Sequence, residues 1–371
     1  MTDNAPGLLP VYAGSSPETF IEIPDTDLMA QVLYSPWWCR PVFVNGPGDV
    51  PPDTLCLLWK QDGLYSFLLA LSIEASASLA GARGGVLLKA EGAGSLPAAL
   101  LSRDADPSRA AENAFRKAAE LAGIPVREQK QLPDFARYLG WCTWDAMEIW
   151  VSRQGIEDKL REFREKKAPV RWALIDDMWA RVRWTRRLSP FTEHSVSFPV
   201  MHSSALLDLE GDPERFPGGM AECIKAIHEA GFWAGLWFPV TGYWAGLAEG
   251  SPALEFLGGY VKKYGGRYLP DLESPEAAEG FYGRLCARLK ETGADFIKAD
   301  NQSFLRTGAA GKERLPARSR NLNRGLDRAA DRYFGGALIN CMGMAGENLL
   351  ARRSAVCRCS NDFQPENSKW F

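Results

Sequence analysis

Histidine is nearly missing from this sequence: His194, His202 and His228 are the only three in 371 residues, and they are not spaced as metal ligands. The eight cysteines form no C-x-x-C pair. Neither a zinc site nor a disulfide framework is indicated, and a reducing, cytoplasmic setting is the expectation. No G-x-G-x-x-G or P-loop glycine run is present, which removes the usual signs of a dinucleotide or phosphate cofactor, so none is expected. No apolar run approaches the ~18 residues needed to span a bilayer. The first fourteen residues lack the basic and apolar regions of a secretory leader. Charge of one sign is lacking too: 43 basic side chains meet 46 acidic ones, a net of −3. Such a surface has no electrostatic reason to seek nucleic acid or an anionic membrane. The richest basic stretch, residues 312–328, is interrupted by Glu313 and Asp327 and reads as a solvated helix face. Nothing in the sequence speaks to oligomeric state.

Tryptophan, by contrast, is abundant. Nine of the 13 tryptophans fall between Trp141 and Trp244. Cores are built mainly from Leu, Ile and Val, whereas clustered indoles suit stacking on a flat ligand. Core packing is the alternative for any one of them.

Residues 1–105 carry short apolar or alternating runs at 19–23, 31–34, 55–59, 64–72 and 85–90. Turn formers such as Asn45-Gly46, Pro51-Pro52 and Asp62-Gly63 separate them, the texture of a shortened β-sandwich-like domain. Residues 106–135 read as a helical linker: an Ala-rich helix over 107–122, stopped by Gly123-Ile124-Pro125, then a polar stretch. From 136 to 371 apolar strands, predicted at 138–143, 171–175, 232–238, 295–299, 336–341 and 355–359, alternate with amphipathic helices, predicted at 156–166, 219–230, 274–291 and 323–333. That is the pattern of a parallel sheet covered by helices.

Most of these strands end in a polar or aromatic cluster: Trp144-Asp145, Asp176-Asp177, the Trp237 to Trp244 run, Asp300-Asn301-Gln302 and Ser360-Asn361-Asp362. TIM-type (β/α)8 barrels place their chemistry at such ends. An open doubly wound sheet would gather it at one switch point and usually carry a glycine-rich loop. A barrel is therefore predicted. Six strand–helix units are counted before residue 371, so the barrel is expected to lack its last strands.

The strand-end acids are the candidate chemistry, since no His, Cys or metal constellation competes. Glycoside cleavage needs two carboxylates, one to attack the anomeric carbon or orient water and one to protonate the leaving oxygen. Lys298 and Asp300 share a face of one strand, and the cation would keep the carboxylate ionised; a plain strand-end ion pair is the alternative. Asp362 follows Arg358 by four residues, and an Asx-type turn is its alternative. Asp176 and Asp177 are adjacent, so they face opposite ways on a strand. They suit neighbouring hydroxyls better than a single atom, or else a helix cap. Trp141, Trp144, Trp179, Trp237 and Trp244 could wall a sugar's C–H face.

Four blocks carry a family resemblance: Leu139-Gly140-Trp141-Cys142-Thr143-Trp144-Asp145, Leu174-Ile175-Asp176-Asp177-Met178-Trp179, Ile297-Lys298-Ala299-Asp300-Asn301-Gln302 and Arg358-Cys359-Ser360-Asn361-Asp362-Phe363. In this order they resemble raffinose synthases, seed imbibition proteins and alkaline α-galactosidases of glycoside hydrolase family 36. The resemblance runs from about Leu64, where the end of that family's β-sandwich is matched, to Phe371. It implies a retaining α-galactosidase acting by double displacement on raffinose-type α-galactosides, or a galactosyltransferase of the raffinose synthase kind. Asp300 would then be the nucleophile and Asp362 the acid/base. Asp176 and Asp177 would hold the galactose O4 and O6 region. Lys298, Gln302, Cys341 and Arg358 would line the same subsite, with Trp144 and Trp237 as walls. The partner expected is an α-galactoside oligosaccharide. Two positions depart from the family pattern: Met178 stands where Gly is usual, and Asn361 where Asp is usual. A carbohydrate-binding protein that has lost catalysis is a rival reading. An unrelated barrel lyase is another, but it lacks the metal or phosphate signal it would need.

Overall fold

The structure, a computed structural model, describes residues 7–12, 17–184, 201–307 and 311–362. His194 and Phe363, singled out from the sequence, lie outside the described residues. The chain divides into two compact units. The first takes the described residues up to Lys130 together with Ser303–Asn323 and Met342–Arg353. The second takes Gln131–Gln302, Arg324–Cys341 and the described residues from Ser354 onward.

The first unit is a nine-stranded antiparallel, sandwich-like sheet. At its centre Thr54–Gln61 and Leu64–Ala70 form a hairpin. Its turn, Asp62-Gly63, has φ of 51° and 81°. Two left-handed residues make the tight turn that suits the twist of paired strands, and Asp-Gly is a favoured pair for it. Period-two alternation then sends Leu57, Leu68 and Leu101 into one core with Leu28, Val86 and Leu88. Phe67, Leu69 and Leu100 enter another with Ala110, Ala114 and Ala118 of the helix Pro107–Ala122. That helix starts where the Asp106 carboxylate accepts the Arg109 N–H, with Pro107 in its first turn, and it stops at left-handed Gly123. The returning segments add Leu350 to the helix-side core and place Ala345 against Leu33 and Leu55. They also hold a buried fork of Arg306 on Glu347, at 2.7 and 2.8 Å.

The second unit is built on six parallel strands: β1 (Leu139–Cys142), β2 (Val170–Ile175), β3 (Trp233–Pro239), β4 (Phe296–Asp300), β5 (Leu338–Asn340) and β6 (Val356–Cys357). Each pairs with its neighbour in chain order. Helix α1 (Arg153–Glu165) joins β1 to β2, α2 (Gly219–Glu229) precedes β3, and α3 (Pro275–Glu291) precedes β4. Helix α4 (Leu315–Phe334) precedes β5 and belongs to this unit from Arg324. Ser152 and Ser274 cap α1 and α3 by accepting the Gly155 and Ala277 N–H groups. Sequential parallel strands with helical crossovers are the order of a (β/α)8 barrel, and six of its eight strands lie among the described residues.

Aromatic rings fill the N-terminal end of this sheet. Phe135 stacks on Phe296 at 4.3 Å, and Trp172 sets its edge against Phe296 at 5.3 Å. Glycine makes the space: a Cβ on Gly140 would lie 1.9 Å from the Trp172 ring, and one on Gly235 would lie 2.3 Å from that of Phe296. Two antiparallel pairs absent from the sequence reading are inserted between barrel elements, Ala180–Trp184 with Ser204–Gly211 and Val261–Tyr264 with Arg267–Pro270. No helix among the described residues is long and apolar enough to cross a membrane.

Candidate active site

The C-terminal ends of the strands carry a buried ionic cluster. β4 closes on Lys298 and Asp300, 6% and 5% exposed. Period two sets both on one face, and Lys298 Nζ lies 3.4 Å from Asp300 Oδ2. The same ammonium donates to Asp176 Oδ2, at the end of β2, at 2.7 Å. The Asp176 oxygen also accepts Cys142 Sγ–H at 3.2 Å, from the end of β1. On β3, in register with Lys298, Trp237 donates its Nε1–H to Asp300 Oδ2 at 2.8 Å. The Asn301 N–H binds Asp300 Oδ1 at 2.7 Å. The ends of four adjacent strands thus meet around two carboxylates, Asp176 and Asp300, and the one ammonium between them.

Burial alone would raise the pKa of Asp300. Lys298, the Trp237 and Asn301 donors and the Cys341 thiol outweigh it and hold the carboxyl below the ordinary aspartate range. Burial likewise works against the Lys298 charge, but Asp176 above all, with Asp300 and the nearby thiols, raises its pKa well above the usual lysine value. The arrangement keeps a dry carboxylate ionised and aimed.

Asp177, in the turn that follows β2, has a different set of partners from Asp176. Its Oδ1 accepts Tyr243 OH at 2.7 Å and the Met178 N–H at 2.6 Å; its Oδ2 accepts Trp244 Nε1–H at 2.6 Å. Burial pushes its pKa up to about 7 against the pull of these donors. Trp237 lies beside both rings, 5.7 Å from Tyr243 and 5.8 Å from Trp244, so one aromatic wall links the two carboxylates.

From β6, Arg358 pairs with Asp362 at 2.6 Å and reaches Cys341 Sγ at 3.7 Å. Cys341 hydrogen-bonds Asp300, which chains Asp362 through Arg358 to the β4 carboxylate at the same end of the strands. Asp362 is half-buried, and its own N–H donates to Asn361 Oδ1 at 2.8 Å. Asp145, on the helical turn after β1, has its pKa raised by burial and by the Asp362 charge.

Three of these side chains are followed by a left-handed, non-glycine residue: Asp177 by Met178 (φ 70°), Asp300 by Asn301 (φ 56°) and Cys341 by Met342 (φ 51°). The chain turns sharply just past each functional group, which explains why glycine suits position 178 in the resembling family. Here the cost is borne by a Met that is 2% exposed and whose sulfur sits 3.6 Å from Tyr243 OH.

Of the residues singled out from the sequence, Asp176, Asp177, Trp237, Lys298, Asp300, Cys341, Arg358 and Asp362 come together through these contacts. Gln302 is fully buried with its amide on Asn340 Oδ1 and the Ala299 carbonyl, behind the strand ends. Trp144 is half-buried on the turn leaving β1. Trp141 is half-buried and packs edge-on against Phe163 of α1, and Trp179 is buried with its N–H on the Trp237 carbonyl. Tyr243 and Cys142 were not singled out. Each lies inside a motif that was, but the hydrogen bond of each to an aspartate depends on spatial neighbours. Among the described residues no three His, Cys, Asp or Glu side chains gather as a metal site.

Residues 101–216 match the sequence model of the family described as raffinose synthase or seed imbibition protein Sip1. Among curated proteins, the chain is 27% identical over 288 residues to probable galactinol–sucrose galactosyltransferase 6 of Arabidopsis thaliana, covering 71% of this chain and 38% of that protein. It is 23% identical to galactinol–sucrose galactosyltransferase of Oryza sativa subsp. japonica, covering 94% of this chain and 51% of that protein. The chain therefore spans about half the length, or less, of these relatives. Among solved structures, the α-galactosidase from Thermus thermophilus in complex with stachyose superimposes with a TM-score of 0.59 at 20% identity, over 93% of this chain and 71% of that one. The family 36 α-galactosidase AgaA from Geobacillus stearothermophilus gives a TM-score of 0.55 at 11% identity, over 91% of this chain and 50% of that one. The resemblance read from the four blocks is thus present across the sequence, and the fold is that of the family 36 α-galactosidases.

Proposed function

We propose that this chain carries the galactosyl site of an enzyme that processes α-galactosides with retention, and that Asp300 is its nucleophile. The observation carrying this reading is the buried Asp300 carboxylate, kept ionised by Lys298 and oriented by the Trp237 and Asn301 N–H groups. In the first step an Asp300 oxygen bonds to the anomeric carbon while the bond to the leaving oxygen breaks and Asp362 gives that oxygen its proton. In the second, Asp362 takes a proton from the incoming hydroxyl, whose oxygen replaces Asp300 at the same carbon. Asp176 and Asp177 accept hydroxyls of the galactose, and the Trp237 ring supports its C–H face.

Water as the acceptor makes the protein an α-galactosidase acting on raffinose-type sugars, our first reading. A sugar hydroxyl as acceptor makes it a galactosyltransferase, a reading favoured by the names of the curated relatives. All eight cysteines are free thiols, which suits the cytoplasmic location we propose.

The test is turnover of an aryl α-galactoside, with and without sucrose as acceptor, followed by NMR of the first-formed anomer. The α-anomer is expected, together with free galactose. A trisaccharide in its place would establish transfer. Asp300→Gly should lose at least about a thousandfold in kcat and regain turnover with azide, which would form the β-galactosyl azide. Normal turnover in that variant would remove Asp300 from the mechanism. Galactoside binding that survives Asp300→Asn, with turnover in neither form, would mark a binding protein.

A further inference from the structure

A concavity lies one ring away from Asp177. It encloses about 540 Å³, inside the roughly 300–1,000 Å³ range of small-ligand sites. Its walls are the two inserted antiparallel pairs, tied together through the loop that follows β3: Leu247 bridges Leu206 on one side and Tyr268 on the other. Gly246, at φ 84°, lets that loop pass where a Cβ would lie 2.3 Å from the Tyr268 carbonyl oxygen. The floor is Ala205, Ala245 and Ala248, 4%, 7% and 3% exposed. Three methyl groups where larger side chains would fill the space leave a shallow apolar base. The rim is polar and of mixed sign. Arg183 and Arg267 are exposed donors, and Arg183 is steadied by the Glu249 carbonyl at 2.8 Å. Glu249 offers carboxylate oxygens, one of which accepts Tyr268 OH at 2.9 Å.

An apolar base under a rim holding both donors (Arg183, Arg267) and acceptors (Glu249, which also pairs with Lys263 at 3.3 Å) is complementary to a polyhydroxylated ring, whose hydroxyls use both. Its position ties it to the galactosyl site. His202, on its wall, packs against Trp244 with ring centres 4.7 Å apart and planes tilted by 40°, and the Trp244 N–H holds Asp177.

We propose that this cavity binds the sugar residues of an oligosaccharide that lie beyond the galactosyl group, so that the inserted strands select for chain length. This inference rests on the functional reading above. The test compares two substrates of the whole chain, an aryl α-galactoside that reaches only the galactosyl site and the tetrasaccharide stachyose, in Arg267→Ala and Ala248→Trp. Each variant should lose roughly tenfold or more in kcat/KM for stachyose and stay within about twofold for the aryl substrate. Equal losses on both substrates, or no loss on either in a folded Arg267→Ala, would overturn it. Suppression of stachyose turnover by millimolar inorganic phosphate, with the aryl substrate untouched, would reassign the cavity to an anion and also overturn it. Where the parent chain turns over neither substrate, the catalytic reading fails separately. Calorimetry of stachyose binding then decides: weaker binding to Arg267→Ala supports the cavity, and unchanged or absent binding removes it.

Discussion

The carboxylate of Asp300 is held ionised against its burial by a small set of donors, and the indole N–H of Trp237 is one that touches it directly, at 2.8 Å. Trp237→Phe keeps the ring and deletes that donor. A hydrogen bond to a charged group contributes about 1.5–3 kcal/mol, so kcat should fall by roughly ten- to a hundredfold. The sign of the pH effect follows from the opposing influences. Burial raises the Asp300 pKa and the donors lower it, so losing one moves it upward. The acid limb of kcat/KM should therefore shift to higher pH than in the parent. An unmoved acid limb would mean that Trp237 only packs. At this scale the sequence was readable where a local rule applied. Lys298 and Asp300 share a face because strands repeat every two residues, whereas Asp176 and Asp177 lie just past the end of β2 and diverge in the turn that follows it. The Tyr243 hydroxyl on Asp177 joins residues 66 positions apart, and no local pattern reports it. Gln302 sits in a strand-end motif yet turns inward to Asn340, a choice made by the β5 neighbour.

Elements were legible in proportion to their apolar continuity. All six barrel strands read correctly, because buried parallel strands are near-continuous apolar runs followed by polar ends. The inserted pairs were missed: Ala180–Trp184 and Val261–Tyr264 carry Arg and Lys within short stretches that resemble loops. Gly7–Val11, Cys39–Val44, Ser76–Ala82 and Ala99–Asp104 were missed as well. Among the described strands Cys39–Val44 pairs with Leu28–Leu33 alone, and at such an edge Pro41 is tolerated. The aromatic filling of the barrel's N-terminal end gives an element-scale prediction. Gly235→Ala forces a methyl group to 2.3 Å from the Phe296 ring, where overpacking costs about 3 kcal/mol. Phe296→Val opens space at the same spot and is itself destabilising. Because the two changes share one volume, the double variant should lose clearly less than the sum of the singles, as measured by urea midpoints. Simple additivity would show that the glycine is not there for the ring.

On the scale of the whole chain, the two units are not consecutive stretches of sequence. Period and propensity describe neighbours along the chain, so the sequence reading placed everything after residue 136 in one domain. The structure returns Ser303–Asn323 and Met342–Arg353 to the first unit. There Leu350 completes the core under the helix Pro107–Ala122, and Ala345 closes a cluster with Leu33 and Leu55. The Ser319 hydroxyl donates to Asn348 Oδ1 at 2.5 Å, and Asn348 Nδ2 donates to Ser303 Oγ at 3.0 Å, wholly within these returning segments. A chain ended after Lys130 would retain every strand of the antiparallel sheet and still lose these contributions to its cores. Stability of a unit this size rests on a margin of about 5–15 kcal/mol, and exposing several buried side chains at once consumes much of it. The 1–130 fragment should keep strand signal in far-ultraviolet circular dichroism, bind a hydrophobic dye and melt without a sharp transition. Adding a peptide spanning residues 303–353 should reduce the dye binding. A sharp thermal transition and no dye binding by the fragment alone would show that the sheet and its helix are self-sufficient and that the returning segments serve the barrel instead.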